Sequence, residues 1–186
     1  VRRQRQMCIR DSAYFDAAEE FGRLLAKNGH TLVYGGGAQG VMGAAARGAA
    51  DAGGKITGIA PSFLNVDGIL FDRCTEFILT DTMAERKAAM IARADAFVMA
   101  PGGFGTLEEF FEVLTLKQLG QHRKPIAVFD VDGYYEPLIA AINDAVVKDF
   151  IKPTIDVLYK SFDNIEKMTE YLENDDMQGL TVRDLK

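Results

Sequence analysis

Cysteine and histidine are scarce in this chain, with two of each among 186 residues. Cys8 and Cys74 form no CxxC pair, which excludes a disulfide framework and a zinc ribbon. His30 and His122 are too few for a His-rich metal site. No apolar run approaches the roughly 20 residues that a membrane helix needs. Basic charge is outweighed, 21 Lys and Arg against 27 Asp and Glu, for a net charge of -6 and a pI of about 5.0. That balance argues against a general nucleic-acid binder, but leaves room for a local basic pocket that holds a small anion. What the chain does have is 48% hydrophobic and 26% charged residues, the proportions of an ordinary globular domain that can bury a core without disulfide or metal. Its 18 glycines cluster rather than repeat, so collagen-like and low-complexity readings fail. A cytoplasmic enzyme or ligand-binding protein is the expectation, with no metal, nucleic acid or membrane among its partners.

Residues 1–12, VRRQRQMCIRDS, are basic and polar, with no apolar core of a secretory signal. They read as a disordered or non-native leader. From there the pattern alternates. Helical spacing over 16–27 stops at Asn28-Gly29, and TLVY at 31–34 reads as a strand. Helices follow over 41–52, 82–93, 107–119, 135–147 and 165–172. Strands fall at 55–60, 76–79, 95–100, 125–129 and 156–159, and residues 61–74 read as irregular. Strands alternating with helices of about 10–14 residues are the βαβ signature, and short apolar strands fit a parallel sheet covered on both faces. The expectation is one α/β domain over 13–172, a Rossmann-like doubly wound parallel sheet in three αβα layers. A polar tail occupies 173–186.

In such folds ligands sit beyond the carboxyl ends of the strands, and two glycine loops occupy that place. The first, Gly35-Gly36-Gly37-Ala38-Gln39-Gly40, contains GxGxxG between a strand and a helix. The acidic residue of a dinucleotide site, expected about 20 positions on, is missing, because that region reads Gly58-Ile59-Ala60-Pro61. The bland alternative is a tight turn whose glycines allow close packing. The second loop, Pro101-Gly102-Gly103-Phe104-Gly105-Thr106, lacks the Lys-Ser/Thr pair of a P-loop. Its glycines let backbone N–H groups face an anion, the following helix adds positive potential, and Thr106 offers a hydroxyl. Two such loops in one small domain point to a phosphorylated ligand.

Glu108 and Glu109 then fall in what reads as the first turn of a helix, where the macrodipole alone favours carboxylates. Neighbouring helical residues diverge by about 100°, so only one of them faces a given pocket. Glu109 is the candidate. Arg86 and Lys87 lie on the helix before the second loop's strand and find no acidic partner at helical i,i+4 spacing, which makes them candidates for the compensating cation. Met83 and Met90 could touch a base, although methionine more often fills a core. Tyr134 and Tyr135 read as packing and turn residues. Phe110, Phe111 and Leu114 read as buried, and His122 as a solvated or capping residue.

These residues resemble the Lonely Guy (LOG) family of cytokinin riboside 5′-monophosphate phosphoribohydrolases, long labelled lysine decarboxylases. The family's PGGxGTxxE stands complete from Pro101 to Glu109, and its GGGxxGxMG from Gly35 to Gly43. Its Arg-Lys pair is Arg86-Lys87. Gln118-Leu119-Gly120, His122, Lys124-Pro125 and Asp132-Gly133-Tyr134-Tyr135 also fit. The resemblance covers about 13–160. It implies a homodimer of Rossmann-like domains that cleaves the N-glycosidic bond of a nucleoside 5′-monophosphate, AMP or an N6-prenylated AMP, to free base and ribose 5-phosphate. Arg86 and Glu109 would be the catalytic pair. Gly102, Gly103, Gly105 and Thr106 would hold phosphate, and Gly36, Gly37, Gly40, Met83 and Lys87 would line the nucleotide site. No cofactor is required.

The chain departs from the family at several places. VRRQRQMCIRDS stands where the family has a hydrophobic strand and a glycine-serine loop, so that strand and part of the site are expected to be missing or rebuilt. Ala84 replaces a histidine, the Trp before Gln-Leu-Gly is absent, and Asp130 replaces an asparagine. A non-catalytic nucleotide-binding or carrier protein of the same fold is the alternative, and turnover rather than binding separates the two. Nothing in the residues supports the pyridoxal site that a decarboxylase would use.

Overall fold

The computed structural model describes residues 2–174, with side chains from Ala13 onward. The leader read at 1–12 and most of the tail read at 173–186 therefore lie outside the described side chains. Contacts divide the chain into two compact units, Val1–Ala94 and Asp95–Lys186. Each holds a three-stranded, fully parallel sheet, in keeping with the parallel α/β class expected from the alternating pattern.

The first unit runs α1 (Arg2–Lys27), β1 (Thr31–Tyr34), α2 (Gly40–Asp51), β2 (Lys55–Pro61), β3 (Glu76–Thr80) and α3 (Met83–Arg93). Its strand order is β1-β2-β3, with Thr31 opposite Lys55 and Thr57 opposite Glu76. The central strand β2 is buried at every residue from Ile56 to Pro61. A strand covered on both faces has no polar side, so it reads as a continuous apolar run instead of an alternating one. Tyr34, Ala46, Ala49, Ile56 and Phe71 form one buried cluster, with Leu32, Ala38, Ala50 and Cys74 packed against it. The Ala- and Gly-rich face of α2 lets α1 approach until Gly48 meets the backbone carbonyl of Glu19.

The second unit runs β4 (Phe97–Met99), α4 (Phe104–Gln118), β5 (Ile126–Phe129), α5 (Glu136–Val147), β6 (Lys160–Phe162) and α6 (Ile165–Asn174), with strand order β4-β5-β6. Here β5 is the central strand, buried at all four residues. Phe110 and Tyr159 meet edge to face, with ring centroids 5.6 Å apart.

Two boundaries differ from the sequence reading in ways that matter. The last strand is not at 156–159. Residues Pro153–Val157 form a 3-10 helix, and the strand is Lys160–Phe162. The buried residues Ile155, Leu158 and Tyr159 recur at helical rather than alternating spacing, and the short strand itself has only Phe162 to point inward. The other difference is the start of α4, at Phe104 instead of Leu107. Among the described residues no helix is long and apolar enough to cross a membrane.

Candidate functional site

In the first unit the candidate residues gather where β1 and β2 end. Helix α3 is fixed at its start by a reciprocal cap. Thr82 Oγ1 accepts from the Glu85 N–H at 3.1 Å, and Glu85 Oε2 accepts from the Asp81 N–H at 2.9 Å. Both bonds satisfy N–H groups at the start of α3 that have no partner within the helix. With α3 set at that angle, Arg86, one turn in, points back onto the sheet. It is 7% exposed, and its Nε donates to the Ile59 carbonyl on β2 at 3.1 Å. Its terminal Nη2 lies against Gly35, the residue after β1, where a Cβ would collide with it. A buried guanidinium keeps its charge, so this position carries a fixed cation at the carboxyl end of two strands. Lys87 is half-buried on the next position of α3, and Met83 is exposed at its first turn.

The first glycine loop is not a free anion cradle. Residues 69–71 run antiparallel to it: Ala38 N–H donates to the Ile69 carbonyl at 2.9 Å, Phe71 N–H donates to the Gly36 carbonyl at 2.9 Å, and Gly37 bridges Leu70. The strap spends the Ala38 N–H and fixes the loop's path. Gly40 opens α2. Met42, not singled out from sequence, lies over the loop. Its Sδ and Cε come within 3.5 Å and 3.0 Å of where a Cβ would stand on Gly35 and Gly37. The methionine was visible as a letter of GGGxxGxMG, but nothing in its spacing said which way it turns.

In the second unit the loop after β4 becomes the N-terminus of α4. The helix begins at Phe104, capped by Gly103, and its first backbone bond is Leu107 N–H to the Gly103 carbonyl at 3.1 Å. The N–H groups of Phe104, Gly105 and Thr106 therefore precede the first intrahelical donor, as at any helix start, and can serve an anion. Thr106 folds its side chain back over Gly102, so that a Cβ at Gly102 would strike the hydroxyl. Gly103 and Gly105 stand open. Because α4 starts three residues early, Glu108 and Glu109 belong to its second turn, and the first turn holds no acid. The macrodipole acts mainly within the first turn, so it no longer accounts for these carboxylates. Glu109 shares a helix face with Gly105 and Thr106, at i+4 and i+3, and helical side chains lean toward the N-terminus. It is half-buried, whereas Glu108 is exposed.

The loop is held from behind by the two tyrosines that read from sequence as packing and turn residues. Tyr134 OH donates to the Gly102 carbonyl at 2.8 Å, and Tyr135 OH donates to the Ala100 carbonyl at 2.7 Å. Burial raises the Tyr135 phenol above its ordinary range, so it stays a donor.

His122 is also built in rather than solvated. Its Nε2 lies 2.8 Å from the Val113 carbonyl, its Nδ1 accepts from the Lys124 N–H at 3.2 Å, and its ring packs on Phe97. One nitrogen must donate and the other must accept, which fixes the neutral tautomer with the proton on Nε2. Burial, with Lys117 and Lys124 adding to it, lowers the pKa below the usual histidine value. The unfolded chain therefore takes up a proton that the folded chain refuses. Stability from this residue is present above about pH 6.5 and is lost as pH falls through the folded value. Thermal denaturation between pH 7.5 and 5 should show a steeper loss for the wild type than for His122→Gln. Parallel curves would remove His122 from the account.

The candidates thus fall into two groups: Gly35, Gly36, Gly37, Met42 and Arg86 in the first unit, and Gly102, Thr106, Glu109, Tyr134 and Tyr135 in the second. Among the described residues no cluster of three or more His, Cys, Asp or Glu could hold a metal ion.

Comparison with known proteins follows the same residues. The family described as possible lysine decarboxylase matches residues 42–172. A probable cytokinin riboside 5′-monophosphate phosphoribohydrolase of Oryza sativa subsp. japonica is 41% identical over 161 residues, covering 87% of this chain and 71% of that protein. A cytokinin riboside 5′-monophosphate phosphoribohydrolase of Arabidopsis thaliana is 41% identical over 160 residues, covering 86% and 70%. Among solved structures, the molybdenum cofactor binding protein of Rippkaea orientalis superposes with a TM-score of 0.67 at 22% identity, covering 87% of each chain. The molybdenum cofactor carrier protein of Chlamydomonas reinhardtii gives 0.63 at 22% identity, covering 86% of each. At that identity the likeness is one of fold alone.

Proposed function

The chain belongs to the LOG family, and from that premise we propose that it hydrolyses the N-glycosidic bond of a nucleoside 5′-monophosphate, releasing the free base and ribose 5-phosphate. The observation that carries the reading is the local structure of Pro101–Glu109. A glycine loop leads into a helix N-terminus with three N–H groups and the Thr106 hydroxyl at hand, and a half-buried carboxylate stands one turn further along the same face. The phosphate takes the N-terminus of α4, where Gly102, Gly103, Gly105 and Thr106 meet it. The family resemblance assigns Gly36, Gly37, Gly40, Met83 and Lys87 to nucleotide binding.

Breaking the bond between C1′ and the base nitrogen leaves the electron pair on the base and develops positive charge on the ribose ring. The Glu109 carboxylate stabilises that charge and orients the water whose oxygen bonds to C1′, as carboxylates do in glycoside hydrolysis. The water's proton offsets the one the departing base acquires. Arg86 cannot be a general acid, since a guanidinium keeps its proton. It contributes a fixed charge that neutralises substrate anion or steadies the leaving base. Binding of the remote phosphate positions the reacting bond.

The reading makes phosphate essential. Wild-type protein should release adenine from AMP, or the modified base from isopentenyl-AMP, while leaving adenosine essentially untouched. The ratio of the two nucleotide rates names the preferred base. Equal rates on adenosine and AMP would refute the phosphate assignment. Tight nucleotide binding without base release would identify a carrier of the same fold instead.

A further inference from the structure

The phosphate-side loop depends on a pair of groups that the proposed chemistry does not use. Ala100-Pro101-Gly102-Gly103 links β4 to α4; the Ala100–Pro101 peptide has no N–H, whereas the Gly102–Gly103 peptide, between two glycines, is free to exchange the orientation of its carbonyl and N–H. A peptide plane that turns over presents a carbonyl oxygen where an anion needs an N–H, and that substitution is repulsive. In this structure two of the carbonyls are taken out of play. Tyr135, 2% exposed, donates its phenol to the Ala100 carbonyl at 2.7 Å. Tyr134, 42% exposed, donates to the Gly102 carbonyl at 2.8 Å. The two rings meet edge to face, with centroids 4.8 Å apart, so each steadies the other.

The tyrosines are themselves held. After β5, the chain turns through Asp132 and Gly133, both at positive φ of 52° and 69°. Asp130 Oδ1 accepts from the Tyr135 N–H at 2.6 Å, closing that turn. The turn sends both phenols back toward the loop, across 32 and 35 residues of sequence. Asp130 stands where the family resemblance expects an asparagine. Its carboxylate oxygen accepts from this N–H as an amide oxygen would, and negative charge shortens such a bond.

We propose that Tyr134 and Tyr135 are positioning residues: Tyr134 holds the Gly102 carbonyl, so that the Gly103 N–H on the opposite side of the same peptide faces the substrate's phosphate, and Tyr135 holds the Ala100 carbonyl, which fixes the path by which the loop enters α4. The proposal rests on the phosphate site assigned above. It places no tyrosine at the reacting bond. The locked loop should discriminate phosphorylated from unphosphorylated ligands through preorganisation, since the ordering cost is met on folding.

The test compares Tyr134→Phe with wild type by titration calorimetry, using ribose 5-phosphate and ribose as probes. Phenylalanine keeps the ring against Tyr135 and removes only the hydroxyl, and the exposed position makes a folding failure implausible on burial grounds. Ribose 5-phosphate affinity should fall about tenfold, the weight of one hydrogen bond that sets a charged contact, with melting temperature nearly unchanged. The KM for AMP should rise by the same factor with kcat retained. Amide shifts of Gly102 and Gly103 should move in the free variant. Tyr135→Phe, at the buried position, should add to the loss. Unchanged ribose 5-phosphate affinity would overturn the proposal, and so would an equal loss for ribose. The binding readout is independent of turnover: wild type that binds ribose 5-phosphate but never releases base fails the hydrolase reading and leaves the clamp to be judged by Tyr134→Phe. Wild type that does not bind ribose 5-phosphate overturns the clamp together with the cradle.

Discussion

Replacing Glu109 by glutamine should lower base release from a nucleoside monophosphate by about 10³-fold, the scale on which a positioned carboxylate acts in proton transfer or charge stabilisation. The amide has the same shape and can still hold a hydroxyl, but it cannot stabilise positive charge on the sugar or take a proton from water. Ribose 5-phosphate should bind the variant at least as well as wild type, because removing a carboxylate near a phosphate removes a repulsion. Glu108→Gln is the internal control. Glu108 is exposed and turned about 100° from Glu109 around α4, so its replacement should change the rate less than about threefold. Steady-state rates and calorimetric affinities for the two variants decide the matter. Comparable losses in both would mean that helix charge, not a placed carboxylate, sets the rate.

The second large effect is expected at a residue with no functional group. Gly35→Ala adds one methyl where the Arg86 Nη2 now lies. The obstacle is the far end of a flexible side chain, so the fold can give way. The bond from Nε to the Ile59 carbonyl opposes that movement, and the surrounding burial leaves the guanidinium few places to go. The cost in stability should be about 1 kcal/mol, since one displaced contact rather than a backbone collision is involved. The cost in kcat/KM should be about 10²-fold, because a group moved by about 1 Å loses most of its advantage. Arg86→Lys should fall as far, as a lysine has no Nε–H to donate to the Ile59 carbonyl while its charged end stays beside Gly35. Melting temperatures measured beside rates separate displacement of a charge from general unfolding. A Gly35→Ala protein with wild-type kcat/KM would remove Arg86 from the catalytic account.

Much of the architecture was legible because it follows from periodicity. Strand β1 fell where TLVY was expected, and the strands read at 55–60 and 125–129 correspond to β2 and β5, which the structure shows to be the buried central strands. The helix read over 82–93 is α3, with Thr82 as its N-cap. The start of α4 was missed because two glycines in Gly103-Phe104-Gly105 argue against helix. That penalty applies to helix interiors, and a first turn that must leave N–H groups free tolerates them. The shift is consequential: it moves Glu109 out of the first turn and strips its charge of a merely dipolar explanation. The strand expected at 156–159 was drawn from apolar content alone, although Ile155, Leu158 and Tyr159 carry a helical period.

What the sequence hid were contacts made by backbone or across distance. The strap from Ile69 to Phe71 binds the first glycine loop through peptide groups, which leave no residue signature. The phenol-to-carbonyl bonds of Tyr134 and Tyr135 span more than 30 residues and obey no period. His122 looked like a polar residue after a helix, and only the Val113 carbonyl, the Lys124 N–H and the Phe97 ring reveal it as a fixed neutral imidazole. Chemistry-bearing residues, and Tyr134 and Tyr135 beside them, were found as letters of motifs, whereas the bonds that hold the loop in place were not.

Product analysis tests the central claim most directly. Wild-type protein incubated with AMP, and separately with isopentenyl-AMP, should yield free base and ribose 5-phosphate in equal amounts from at least one of them. Adenosine with inorganic phosphate would place the scission at the other end of the ribose and contradict the account, as would nucleotide that is bound and recovered intact.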